Sequence, residues 1–334
     1  MSAPQQPGTP AHDAAHADAT RPGSTAWWGP WDADRSVVAD REVAVIGFDA
    51  TAELHAQNLR DSGVDVRVGA EPGTPEHDAA QAEGFFTLPV ADAVQDGELV
   101  VIGTAHLEAV AAVLTDEQVL VLTSAAAGRA LRGSGIRHRG VILLVEVLGE
   151  PVATRQAYVD GRGGPAVVAV VARGTGSGHE LTLTLNPTAA PAAPDARGDA
   201  AQRLAVAYAD VVGATRAAAI GVDALDWAAA ADFADTRVTP LLEAVLAAGR
   251  DALVAQGFDP VVADLAVLHR LQSTWEALGH EGARPSAADE HREEVARLTG
   301  PAPRSRSRRT APVDDDATAA ARHARLGEAF GGAR

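Results

Sequence analysis

Residues 42–52 read EVAVIGFDATA: a short apolar run, glycine at position 47, and then a stretch that should open a helix. An apolar strand ending in glycine and leading into a helix is the first turn of a doubly wound α/β sheet. There a G-x-G-x-x-G pattern lets the backbone approach a pyrophosphate at the helix N-terminus. Gly47 holds the first place of that pattern, but Asp49 stands at the second and Ala52 at the third. The scaffold is present and the anion site on it is altered.

Outward from this turn, residues 43–46 and 64–68 read as strands on either side of a helix over 51–62, which the Asp61-Ser62-Gly63 run stops. An amphipathic stretch near 74–83, an apolar pair at 88–90 and a short helix over 91–95 follow. Then come a strand at 98–102, a helix at 107–114 and a strand at 118–123. The β-branched runs 141–147 and 166–171 suit central strands buried on both faces. Strands alternating with helices predict a Rossmann-type, mainly parallel sheet over 27–172. Trp27, Trp28 and Trp31 at its start are expected to be core or interface anchors.

Residues 1–26 lack apolar periodicity and read as a disordered leader, in which His12 and His16 are a solvated pair. The Gly, Thr, Pro and Ala composition of 173–198 marks an insertion or linker, with one candidate strand at 180–185. An all-helical C-terminal domain is expected over 199–300, with helices at 204–212, 228–233, 240–256, 260–278 and 287–298. Residues 301–334 form a charged flexible tail, where Arg304, Arg306, Arg308 and Arg309 precede an acidic run at 314–316.

The chain of 334 residues carries 45 acidic and 28 basic side chains, net −17, and all the basic ones are arginine. That balance argues against nucleic acid as a partner. The absence of lysine excludes a Schiff base, a P-loop lysine and a lysine general base, and the absence of cysteine excludes disulfides and thiolate sites. No apolar run reaches the roughly 18–20 residues of a membrane span. A cytoplasmic protein that does not enter the membrane is the expectation.

Several segments resemble the short form of ketol-acid reductoisomerase, in family order: DADRSVVADREVAVIG (32–47), AQNLRDSGVDVRVG (56–69), YVDGRGGPAVVAV (158–170), LAVAYADVVGATRA (204–217) and LVAQGFDPVVADLAVLHRL (253–271). The resemblance implies a Rossmann-type NADPH domain, a helical domain that is knotted in the family, and a homodimer formed through those helices. It also implies a two-magnesium site for alkyl migration and hydride transfer on an acetohydroxyacid, a step of branched-chain amino acid biosynthesis.

Carried over residue by residue, that chemistry finds few of its groups. Where the family reads GYGSQG this chain reads GFDATA, with Gly47, Asp49 and Ala52 at the glycine positions, and Asp49 placed to cap the helix itself. The arginine that holds the 2′-phosphate of NADPH corresponds to Glu71, and only Thr74 keeps a hydroxyl. A carboxylate there repels a phosphate but accepts from an unphosphorylated ribose, so NADPH is disfavoured and NADH remains open. The metal-ligand positions correspond to Ala230, Ala234, Ala266 and Arg270, none of which offers magnesium an oxygen. The family's lysine corresponds to Leu148, its histidine to Ser124, and its substrate-binding serine to Ala288, beside Ser286.

The expectation is a degenerate family member, a pseudoenzyme with no cofactor or metal, acting by binding, regulation or scaffolding through its leader and tail. One alternative is an NADH-type oxidoreductase of altered substrate, in which Asp232, Asp235, Asp264, His269, Glu276 and His280 are candidates for a new metal or acid–base site, against their reading as solvated helix faces. The other is a still-active ketol-acid reductoisomerase.

Overall fold

The computed structural model describes residues 26–173 and 196–281, together with Arg297. Along the chain run β1 (Trp27–Trp28), α1 (Ser36–Ala39), β2 (Glu42–Ile46), α2 (Ala50–Asp61), β3 (Asp65–Gly69), α3 (Pro75–Ala82), β4 (Phe86–Leu88) and α4 (Val90–Asp96). Next are β5 (Leu99–Ile102), α5 (Leu107–Ala111), β6 (Val119–Leu122), α6 (Ala125–Gly133), β7 (Val141–Val147), α7 (Pro151–Val159) and β8 (Ala166–Arg173). After the insertion come α8 (Ala196–Val211), β9 (Ala219–Gly221), α9 (Ala224–Phe233), a π-helical turn (Ala234–Val238), α10 (Thr239–Ala255) and α11 (Pro260–Glu281).

The strands form one sheet in the order β1-β9-β8-β7-β6-β5-β2-β3-β4. Strands β2 to β7 pair in parallel, and the order reverses between β2 and β5, so the crevice of the fold opens there, at the carboxyl ends of the strands. The apolar run of β2 explains why both faces are covered. Val43 and Val45 pack with Leu59 and Tyr208 on one side, while Ala44 and Ile46 pack with Val90, Ala93 and Leu131 on the other.

The sheet departs from the sequence reading at its far edge. β8 runs antiparallel to β7, with Ala166 beside Val147, because α7 and the turn after it return the chain to the end it left. Gly163 makes that return possible: its φ is +77°, and a Cβ there would lie 2.0 Å from the Gly213 carbonyl oxygen. β9 continues the sheet beyond residue 199, paired in parallel with β8 and antiparallel with β1. α8 is likewise a layer of the sheet, since its Leu204, Tyr208 and Val211 share the core of Val43. Trp28 packs against that core, but Trp31 is 85% exposed and anchors no core in the chain. The candidate strand at 180–185, the helix at 287–298, the leader and the tail lie outside the described residues.

A polar seam joins α2 to α8 under the first core. His55 Nδ1 lies 2.9 Å from the Tyr208 hydroxyl, with both residues fully buried. The Asn58 amide donates to the Val212 carbonyl at 3.0 Å, and the Ser62 hydroxyl donates to the Val211 carbonyl at 2.6 Å. Arg35 and the Thr215 hydroxyl both donate to the buried Asp210 carboxylate. Burial holds His55 neutral, pushing its pKa from 6.5 down to about 4, and pushes the Tyr208 phenol up.

A histidine depressed in the fold binds its proton more readily once unfolded. Its contribution is therefore complete above pH 6.5 and is lost as the pH falls towards about 4. Urea unfolding followed at pH 7 and at pH 4.5 should show a loss on the order of 3 kcal/mol from this residue. His55→Gln should flatten that part of the profile, and an unchanged slope would assign the acid sensitivity elsewhere.

Candidate functional site

The crevice is built from the turns that follow β2, β3, β5 and β6, where helix N-termini present N–H groups without intrahelical partners. In this chain its own oxygens take those donors. Asp49 Oδ1 accepts from Thr51 N at 3.0 Å and from Ala52 N at 2.9 Å, closing the first turn of α2. Thr74 caps α3, accepting from His77 N at 3.3 Å and donating to the Glu71 carbonyl at 2.7 Å. Glu71 Oε1 accepts from Val90 N, the first residue of α4, at 3.2 Å. Ser124 caps α6 through Ala127 N at 3.1 Å, while Glu146 Oε2 accepts from Ala125 N at 2.9 Å and from the Trp227 indole N–H at 2.7 Å.

Gly47 begins this series with φ +80° and donates its N–H to the Gly69 carbonyl at 2.8 Å. The space above it is occupied. A Cβ at Gly47 would meet His106 Cδ2 at 3.3 Å and Glu76 Oε1 at 3.7 Å. His106 Nε2 lies 2.9 Å from Glu76 Oε2, and His106 is the only described non-glycine residue with positive φ, 62°. This pair had no counterpart in the sequence reading. The one available signal was a histidine four residues after the strand at 99–102.

The remaining candidate residues do not converge. Leu148 is half-buried just beyond β7, its N–H donated to the Pro165 carbonyl at 2.7 Å. Ala230 lies exposed on α9, Ala234 opens the π-helical turn, and Ala266, His269 and Arg270 are exposed on α11. Asp232 and Asp235 pair with Arg129 at 3.6 and 3.7 Å, whereas Asp264 pairs with Arg250 at 2.6 Å. Glu276 and His280 belong to the part of α11 whose side chains are not described, and Ser286 and Ala288 lie outside the described residues. Among the described residues, no three acidic, histidine or cysteine side chains gather where a metal ion could be held. None of the described helices is long and apolar enough to cross a membrane.

The residues present do not fit NADPH with magnesium. The two N–H groups that a pyrophosphate would take are donated to a carboxylate, and an acidic side chain closes the end of β3. The fold and the comparisons nevertheless agree on ancestry. The sequence model of acetohydroxy acid isomeroreductase, NADPH-binding domain, matches residues 37–192. The ketol-acid reductoisomerase (NADP(+)) of Beutenbergia cavernae is 32% identical over 260 residues, which span 72% of this chain and 66% of that protein. The protein of the same name from Saccharopolyspora erythraea is 30% identical over 279 residues, 77% of this chain and 74% of its own. The solved structure of an NADH-preferring ketol-acid reductoisomerase from an uncultured archaeon superposes with a TM-score of 0.63 at 20% identity, over 82% of each chain. A sheet of this order, the altered but recognisable turn at Gly47, and relatives at least 30% identical over 72–77% of this chain place it in the ketol-acid reductoisomerase family.

Proposed function

We propose that this chain keeps the family fold, has lost the isomeroreductase reaction, and works as a binding or regulatory protein. One observation carries the reading: Asp49 Oδ1 accepts from both Thr51 N and Ala52 N, the donors that a dinucleotide phosphate needs. In support, Glu71 stands where the family places its phosphate-binding arginine. Ala230, Ala234, Ala266 and Arg270 stand where the family places metal carboxylates, and Leu148 replaces a lysine in a chain that has none. Magnesium prefers several oxygen ligands in octahedral geometry, which alanine and arginine do not supply.

We further propose a homodimer formed through the helical region. Leu242 and Val245 on α10, and Leu265 and Leu268 on α11, are large apolar residues left 44–66% exposed. Exposed apolar residues at a spacing of three on each of two packed helices support an interaction surface there. The leader and tail add sites for a protein partner.

The matched segment belongs to the NADPH-binding domain of the family, so the expectation that no cofactor binds has no support in the comparisons. A second reading follows from Glu71: a dinucleotide without a 2′-phosphate, its ribose hydroxyl donating to that carboxylate. On this reading NADH binds, hydride transfer is conserved in kind, and the substrate differs.

Purified protein supplied with acetolactate, NADPH and Mg²⁺ should give no turnover. Saturable NADPH binding with magnesium-dependent reduction would overturn the loss of the reaction. For the second reading, thermal unfolding with each nucleotide should show a higher midpoint with NADH than with NADPH, because a ligand bound only to the folded state raises it. Equal midpoints in both nucleotides and in buffer would remove that reading. Asp49→Gly with Ala52→Gly should leave NADPH binding unrestored while Glu71 remains. Recovery in that double variant, measured by titration, would show that the turn alone excludes the cofactor.

A further inference from the structure

A cavity of about 570 Å³ opens between α6 and α9, on the part of α6 away from Ser124. Its size falls in the range of small-molecule pockets. Arg129 and Arg132 line one wall, and Leu225, Ala228, Ala229 and Asp232 line the other. The two arginines are three apart on a helix and so face the same way. They differ in what holds them. Arg129 is steered by Asp232 at 3.6 Å, by Asp235 at 3.7 Å and by a hydrogen bond donated to the Ala228 carbonyl at 3.4 Å. Its carboxylate neighbours sit beyond good hydrogen-bond distance, so most of its N–H donors are not taken up. Arg132 is half-buried and has no hydrogen-bond or ion-pair partner among the described residues.

Acids outnumber arginines 45 to 28 in this chain, and arginines such as Arg35, Arg67, Arg155 and Arg250 each meet a carboxylate. A half-buried guanidinium that faces a cavity without one has its planar donor fork available. The opposite wall is small and apolar at Ala228, Ala229 and Leu225, which leaves room for a hydrocarbon body.

We propose that this cavity binds a small organic carboxylate with an apolar body. Arg132 takes the carboxylate, Arg129 supplies the second fork from its fixed position, and Ala228, Ala229 and Leu225 receive the hydrocarbon. Asp232 sets the limit on charge, since it faces the same space and repels a dianion. The overall net charge of −17 does not prevent this, because at physiological salt fields are screened over about 8 Å, and within that range Arg129 and Arg132 offset the Asp232 and Asp235 carboxylates. The cavity lies away from the Gly47 turn, so its occupancy does not depend on whether the family reaction survives.

Benzoate is a suitable probe, with benzamide as its uncharged counterpart, each titrated into the full chain by calorimetry. Benzoate should bind saturably and benzamide should not. Arg132→Ala should weaken benzoate on the order of 10- to 100-fold, the size expected for one charge-assisted pair. The thermal midpoint of the ligand-free variant should stay at the wild-type value, since Arg132 holds nothing in the fold. Ala229→Trp should abolish binding by filling the cavity while both arginines remain. Absence of saturable benzoate binding overturns the proposal. So does equal binding of benzamide, or benzoate affinity unchanged in either variant.

Discussion

A parallel sheet covered on both faces gathers the N-termini of its helices along one edge, and every one of them needs acceptors for N–H groups that the helix cannot satisfy. In a nucleotide-binding protein part of that need is left for phosphate. This chain meets it internally at α2, α3, α4 and α6, through Asp49, Thr74, Glu71, and Ser124 with Glu146. Each such cap contributes about 1 kcal/mol to folding. The carboxylates among these acceptors, at Asp49, Glu71 and Glu146, stabilise the edge and also place negative charge along it, so one set of oxygens sets both the stability of the edge and its electrostatics.

One face of the sheet is held differently. There α8 lies over β7 and β8, and its attachment to α2 passes through buried donors and acceptors rather than through apolar contact alone. His55 with Tyr208 and Asn58 with the Val212 carbonyl are pairs in which losing one partner strands the other out of water. This seam fixes how the two helices sit across the sheet, and through α2 it fixes the turn at Gly47. The altered crevice therefore stands on a largely paired foundation, in which His55 Nε2 is a buried atom without a hydrogen-bond partner among the described residues.

Much of this was readable in the amino-acid order. The runs at 43–46, 98–102, 118–123 and 141–147 announced buried strands, and an aspartate just before the helix that begins at Ala50 announced its cap. What escaped had little local signal. β1 and β9 are two and three residues long, too short to carry a period, and only their pairing defines them. α7 lacks a clear apolar stripe and depends on capping by Glu150. The pairing of His106 with Glu76 joins residues 30 apart in the chain through a left-handed backbone conformation that histidine rarely adopts. Trp31 is 85% exposed, whereas Trp28 packs over Gly221, and two neighbouring tryptophans give no local signal of which one is buried.

Glu146 serves two masters, the first N–H of α6 and the indole of Trp227 on α9. A single carboxylate thereby rivets the helical region to the sheet and closes a helix end in the same gesture. The two positions are therefore energetically coupled. Drift at Trp227 leaves an acid half-satisfied against the sheet, and drift at Glu146 frees both an indole and a helix terminus. A helical region set at another angle would need a different acceptor for the Trp227 indole, because Glu146 stays with α6 on the sheet.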